Sequence, residues 1–190
     1  MSRPFRQKTT RRQILGSCRG LVIAVASTAT GAASGQSRWP ADDSTLPRNQ
    51  SFVWLAGRAP NSAFSPASEN ILLSLLNSVR LSRGIALLKP DAALRNIARA
   101  HSRSMALRGF VGHDSPTGES FAERLSGVLA AGTAVGENVA FAERPSQAHD
   151  AFLASAAHTA NMLSPVFRRV GIGVATAGGF GLAITELFAG

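Results

Sequence analysis

The chain has 190 residues, with 20 Lys+Arg against 11 Asp+Glu and a single cysteine. Six of the basic residues and none of the acidic ones fall in the first 33 positions, leaving 14 against 11, a net charge of +3, for the rest. That balance, with no dense basic stripe and no basic–aromatic interleaving, excludes a nucleic-acid footprint, and one cysteine excludes an intrachain disulfide.

Residues 1–13, "MSRPFRQKTTRRQ", are basic without an acid, and residues 14–33 are apolar and small. A basic stretch, an apolar stretch and a small-residue exit form the layout of an export signal. The pair Arg11-Arg12 matches the twin-arginine kind. The apolar run carries Arg19 and falls short of the roughly 20 residues that span a bilayer as a helix. The expectation is a leader over 1–33, removed near Ala32 or Ala33. The mature protein would then have no stable membrane span and would reside in the periplasm or outside the cell. Cys18 would leave with the leader. "LGSC" sits ahead of the main apolar run, so a lipoprotein reading is set aside.

Residues 34–64 read as a linker or docking segment, rich in Gly, Ser, Pro, Asn and Asp and without helical period. "SFVWLAG" breaks that pattern. Phe52, Val53, Trp54 and Leu55 are costly to leave in water and are expected to dock onto the domain. Trp39 and Trp54 both lie outside the expected core.

The domain itself is expected over 65–190. Ser65-Pro66 supplies a cap followed by proline at the first helical position. Ile71, Leu72, Leu75, Leu76 and Val79 then recur at helical spacing, and Gly84 ends the helix. A second helix is predicted from Asp91 to Gly109, with Leu94, Ile97, Ala98, His101 and Met105 on its apolar face. Ser120 and Glu123 form a capping box for a third. A fourth begins after Pro145-Ser146 and carries Ala148, Phe152 and Ser155 on one face. Three strands follow from valine-rich runs: 134–141, 169–177 and 180–189. The last two are separated by Gly178-Gly179, as in an antiparallel hairpin. Helices first and antiparallel strands after point to an α+β layered domain.

Six stretches, in this order, carry a resemblance: "LLNSVR", "GIALLKPDAALRNIARAHSRSMA", "GHDSPTG", "GENVAF", "SAAHTANML" and "VGIGVA". Together they resemble the CAP superfamily, also called SCP-like, and within it the short, disulfide-free bacterial branch. The resemblance covers roughly 68–189, the size of one domain. It implies a three-layer α-β-α sandwich with a small central antiparallel sheet. It also implies a cleft lined by two histidines and two acids. Carried over by motif, these are His113 of "HDSP", Glu137 of "GEN" and His158 of the Ser-x-x-His-x-x-Asn segment, with Ser155 and Asn161 around it. The second acid has no match. Phe152 stands where many relatives have tryptophan, Ala156-Ala157 where many have Pro-Gly, and Asp150 is out of place. Asp114, Asp150 and Glu186 are the acids that could replace it in space.

Two imidazoles and a carboxylate make a candidate open zinc site, holding zinc weakly or transiently ahead of a dedicated catalytic metal. A polar network closing the cleft, with Glu137 accepting hydrogen bonds, ranks ahead of it. Ser115 with His113, or Ser155 with His158, could pair as nucleophile and base. Neither serine has the glycine pattern of a nucleophile elbow, so hydroxyls bonded to turn backbone are preferred. His101 is expected to be a hydrogen-bonded core histidine, and His149 to be exposed. Gly136 is expected to allow a turn before Glu137, and Asn138 to tie loop to loop. Arg124 either pairs an acid or lies solvated on its helix.

Three functions remain. The first is an exported, non-catalytic binding module; the resemblance implies a lipid or another small hydrophobic ligand. The second is a metal-assisted or serine-type hydrolase of the cell envelope, and the third is a surface-mediated interaction module.

Overall fold

The computed structural model describes residues 23–29, 52–55 and 59–190. The twin-arginine pair, Cys18, the expected cleavage region and Trp39 lie outside the described residues. In chain order the elements are β1 (Ile23–Ala29), β2 (Phe52–Trp54), α1 (Pro66–Ser82), β3 (Lys89–Pro90), α2 (Ala92–Arg108), β4 (Phe110–Gly112) and α3 (Phe121–Leu125). They continue with β5 (Val135–Ala142), α4 (Pro145–Leu153), α5 (Ala156–Leu163), β6 (Arg169–Thr176) and β7 (Leu182–Ala189). Among the described residues no helix is long and apolar enough to cross a membrane.

The sheet runs in the order β1-β5-β7-β6-β3. Its central strands are antiparallel, and the short edge strand β3 runs parallel to its neighbour β6. The hairpin register places Arg169 opposite Ala189 and Thr176 opposite Leu182, with Gly178 and Gly181 at positive φ in the turn. Successive strand side chains point to opposite faces, and here that alternation sorts the whole core. Ala140, Ala142, Val170, Ile172, Val174, Ile184 and Phe188 face Leu72 and Leu76 of α1, Phe152 of α4 and Met162 of α5. Val139, Phe141 and Ala183 face Met105 and Ala106 of α2 and Phe110 of β4, while Leu187 packs with Leu94, Ala98 and Phe121. The result is three layers with α1, α4 and α5 on one side and α2 and α3 on the other. Fully burying one such side chain stabilises the fold by about 1.5–3 kcal/mol.

The two layers approach the sheet differently. A Cβ added to Gly171 would lie 2.1 Å from the backbone carbon of Leu94, and one on Gly173 would lie 2.2 Å from that of Ala98. The glycines of "VGIGVA" therefore let α2 rest directly on β6. On the other face Arg80 of α1 is fully buried. Its Nε donates to Ala86 O at 2.8 Å, and its two Nη atoms reach Met162 O, Ser164 O and Phe167 O. Carbonyls of a last helical turn lack intrahelical donors, and Arg80 supplies them at the end of α5.

Helix boundaries follow local chemistry with two corrections. Asp91 caps α2 by accepting from Ala93 N and Leu94 N, and Gly109 ends it at φ 71°. The capping box of Ser120 and Glu123 is formed. Ser65 sits at the start of α1 but makes no cap hydrogen bond; its hydroxyl donates to Ser68 Oγ instead. The expected fourth helix is two helices. α4 stops at Leu153, where the Thr159 hydroxyl hydrogen-bonds the carbonyls of Phe152 and Leu153, and Ser155 opens α5 rather than sharing a face with Phe152. The "SFVWLAG" run pairs with the domain: β2 is antiparallel to β4, and Leu55 N donates to Gly109 O at 2.7 Å.

Candidate functional site

Two polar clusters flank β5, one on each face of the sheet. The first centres on Glu137, which is completely buried. His113, one residue past β4, donates from Nδ1 to Glu137 Oε1 at 2.8 Å. A carboxylate only accepts, so this contact places a hydrogen on Nδ1. Arg124 of α3 donates from Nη2 to both Glu137 oxygens, at 3.1 and 3.0 Å, and is itself buried. His113 Nε2 is also buried, and it has no hydrogen-bond partner among the described residues.

The loop that delivers His113 is wired locally. Ser115 N donates to Glu119 O, Gly118 N donates to Ser115 O, and Gly118 takes φ 99° to close the turn. Asp114 Oδ1 accepts from Phe121 N at 2.9 Å and so anchors the start of α3. α3 in turn aims Arg124 at Glu137. The short sequence from His113 to Arg124 is thus a single brace around one carboxylate.

Burial alone would raise the Glu137 carboxyl. The facing His101, His113 and Arg124 outweigh it and hold the group below the ordinary carboxylate range. Burial pushes His101 down to about 4, so at neutral pH that ring is uncharged and Arg124 is the fixed cation. His101 fills its expected core role, with Nε2 bonded to Gly112 O at 2.8 Å.

The second cluster lies on the α5 side. Asn138 donates from Nδ2 to Glu186 Oε2 at 3.1 Å and to His158 O at 3.4 Å. Asn161 donates to Asn138 Oδ1 at 2.9 Å and to Glu137 O at 3.1 Å. His158 is buried against Phe152, with ring centroids 5.0 Å apart. Glu186 is fully buried, its Oε1 has no hydrogen-bond partner among the described residues, and burial pushes its carboxyl up to about 7. Gly136 is a strand residue rather than a turn. A Cβ there would meet Asn161 Oδ1 at 2.7 Å, so the glycine makes room for that amide.

The residues singled out from sequence are therefore distributed in two groups. His113 and Glu137 meet directly. His158, Asn138 and Asn161 meet across the sheet, joined to Glu137 through its backbone oxygen. Ser155 is half-buried at the start of α5 and makes no cap hydrogen bond. The acid on the His158 side is Glu186; Asp150 is exposed and Asp114 serves the loop. Arg124 is the buried partner of an acid rather than a solvated residue, and His149 is buried rather than exposed. The sequence signal for Arg124 was its place one turn into the capped helix that follows "HDSP".

This donor set does not suit a metal ion. Both Glu137 oxygens are already engaged, and a guanidinium 3.0 Å away would repel a cation. Among the described residues no three His, Cys, Asp or Glu side chains converge in a group that could hold one. A serine nucleophile is no better served. The Ser115 hydroxyl bonds Thr117 Oγ1 at 2.8 Å, while His113 is turned toward Glu137.

Comparison with known proteins places these features. The uncharacterized protein YkwD of Bacillus subtilis (strain 168) is 31% identical over 121 residues, which is 63% of this chain and 46% of that protein. The chain thus spans less than half the length of that relative. An extracellular protein of Bacillus anthracis containing an SCP domain superposes with a TM-score of 0.55 at 26% identity, over 65% of this chain and 40% of the other. An outer surface protein of Borrelia burgdorferi shares the fold at 15% identity, with a TM-score of 0.61 over 69% of this chain and 98% of the other. Residues 73–186, which hold both polar clusters, match the Cysteine-rich secretory protein family, CAP. Fold, ordered motifs and that match agree: the chain belongs to the CAP family.

Proposed function

We propose that this protein is an exported, non-catalytic binding module that takes a hydrophobic ligand, a lipid or another apolar molecule, at the His113–Glu137 end of its cleft. The observation that carries the reading is the state of Glu137. Its two oxygens are held by Arg124 and His113, so it is not free to act as a general base, nucleophile or metal ligand. Beside it, His113 Nε2 and the Nε and Nη1 of Arg124 are buried without a hydrogen-bond partner among the described residues, and they could meet the polar end of a ligand. A small number of placed polar groups in an apolar hollow is the usual make-up of a ligand site. Export through the basic, twin-arginine leader over 1–33 is in keeping with relatives described as extracellular or outer-surface proteins.

The test compares wild type, His113→Ala and Glu137→Gln. Organic-solvent extracts of the purified proteins are examined for co-purifying lipid, and a fluorescent fatty acid is titrated into each. The expected result is saturable binding by wild type that is at least tenfold weaker in His113→Ala. Turnover of generic ester and peptide substrates should sit at background in all three. Turnover by wild type that Glu137→Gln abolishes would replace the binding module with a hydrolase. Zinc that co-purifies with wild type and is lost in His113→Ala would reinstate a metal site.

A further inference from the structure

β5 has two edges. One is paired along its whole length with β7, from Val135 opposite Ala189 to Ala142 opposite Leu182. The other is paired with β1, from Ile23 opposite Phe141 to Ala29 opposite Val135. β1 also lies against α5, the helix of His158, and against β4, the strand that delivers His113. It crosses the two positions that carry the polar clusters: Ser27 stands opposite Glu137 and Ala26 opposite Asn138. Yet residues 23–29 fall inside the stretch that reads as a removable leader. Its removal would bare seven residues of strand edge at the candidate site.

Proteins blunt permanently open edges with lysine, proline, a bulge or a short strand. β5 does none of this. "VGENVAFA" has no lysine or proline, its pairing with β7 is unbroken over eight residues, and its one charge, Glu137, is consumed by the buried cluster. An edge of that kind suits an added strand, in which backbone hydrogen bonds supply affinity. The occupant at hand, "IAVASTA", is uncharged and made mostly of small residues.

We infer that the cleft is a strand-accepting groove: an extended, uncharged, small-residue peptide of about seven residues pairs antiparallel with β5, and in the precursor the chain's own residues 23–29 hold that place. The inference rests on the binding-module reading and adds an extended peptide to what the module takes.

The test uses the full chain. Facing amides alternate along an edge strand, so adjacent prolines remove at least one donor whichever set faces β5. Val25→Pro/Ala26→Pro is the first variant; Ser27→Pro/Thr28→Pro is the second, should the first fail to fold. Hydrogen–deuterium exchange is followed over 135–142, and a labelled IAVASTA peptide is titrated by fluorescence anisotropy beside its fully N-methylated form. Edge amides of β5 should exchange at least tenfold faster in the variants. The peptide should bind the variants one to one and restore protection, and it should be excluded from the unmodified chain. The N-methylated peptide should bind at least tenfold more weakly. Unchanged exchange in both variants would show that 23–29 does not cover the edge and would overturn the inference. So would faster exchange without peptide binding. A fluorescent fatty acid is titrated in parallel: if it binds and the peptide does not, the strand groove is wrong and the binding module stands. If neither binds, both are wrong.

Discussion

Glu137 and Glu186 are both wholly buried, on neighbouring strands one register step apart and on opposite faces of the sheet, and their surroundings push them in opposite directions. Glu137 faces the α2–α3 layer, where a guanidinium and an imidazole hold it charged. Glu186 faces the α4–α5 layer, where one side-chain amide is its partner and burial lifts it to about 7. Burial sets the cost of a charge, and the neighbours decide whether it is met. The face with the fixed cation keeps its acid charged; the other ties α5 to the sheet through the amides of Asn161 and Asn138.

The largest effect should come from removing the cation. Arg124→Met leaves Glu137 charged and dry, and breaking a buried pair from one side costs about 3–5 kcal/mol. The double variant Arg124→Met/Glu137→Gln should recover a good part of that loss. Urea unfolding at pH 7 reads both. A loss below about 1 kcal/mol in the single variant would mean that Glu137 is not held as described.

The next test separates the two faces by pH. Glu186 has a folded pKa raised above the ordinary 4.5 to about 7. Its protonated form favours the fold, so its contribution is full below about pH 4.5 and declines as pH rises toward 7. His101 has a folded pKa lowered from 6.5 to about 4. Its neutral form favours the fold, so its contribution is full above pH 6.5 and is lost as pH falls toward 4. Each spans up to roughly 3 kcal/mol at about 1.4 kcal/mol per pKa unit. Between about pH 4.5 and 6.5 the two slopes oppose each other. Glu186→Gln keeps an acceptor for Asn138 and should leave stability rising with pH across that window, with a gain over wild type at pH 8. Equal pH profiles for Glu186→Gln and wild type would remove Glu186 from the account.

Legibility from sequence followed the same division. The hairpin of β6 and β7, the limits of α2 and the capping box of α3 rest on local signals: alternation, an Asp cap, a Gly stop and a Ser/Glu pair at fixed spacing. The α4–α5 break was not local. It depends on Thr159 turning back to carbonyls six and seven residues earlier. His113 and Glu137 stood out because their motifs are contiguous. Glu186 was one of three candidate acids with nothing to single it out, because it sits in an apolar strand and meets Asn138 only once β5 and β7 are in register. Arg80 was silent for a similar reason: three of its four carbonyl partners lie more than 80 residues away. Gly136 looked like a turn residue because glycine's two uses, conformational freedom and lack of bulk, have the same letter.

The layers also differ in how closely they approach the sheet. Gly173→Ala should cost about 1–3 kcal/mol, since its methyl would press on the backbone of α2 and a helix backbone cannot give as a side-chain tip can. Ile172→Val, one residue away on the opposite face, should cost about 0.5–1.5 kcal/mol through lost volume alone. Thermal unfolding of the two variants orders them. The reverse order would show that α2 can slide on β6.

The smallest effect isolates burial from pairing chemistry. Arg169 donates to Asp91 Oδ2 at 2.8 Å, much the same contact that Arg124 makes with Glu137, but with the arginine side chain 39% exposed. Water then screens the pair and competes for both partners, and exposed pairs of this kind contribute about 0–1 kcal/mol. Asp91 keeps its second job when Arg169 is lost, because its cap bonds to Ala93 N and Leu94 N use Oδ1. Arg169→Met should therefore lower stability by less than about 1 kcal/mol, and less still in 0.5 M salt. Asp91→Ala should cost more, about 1 kcal/mol or above, because it also removes the cap. If Arg169→Met cost as much as Arg124→Met, exposure would not be what separates the two pairs.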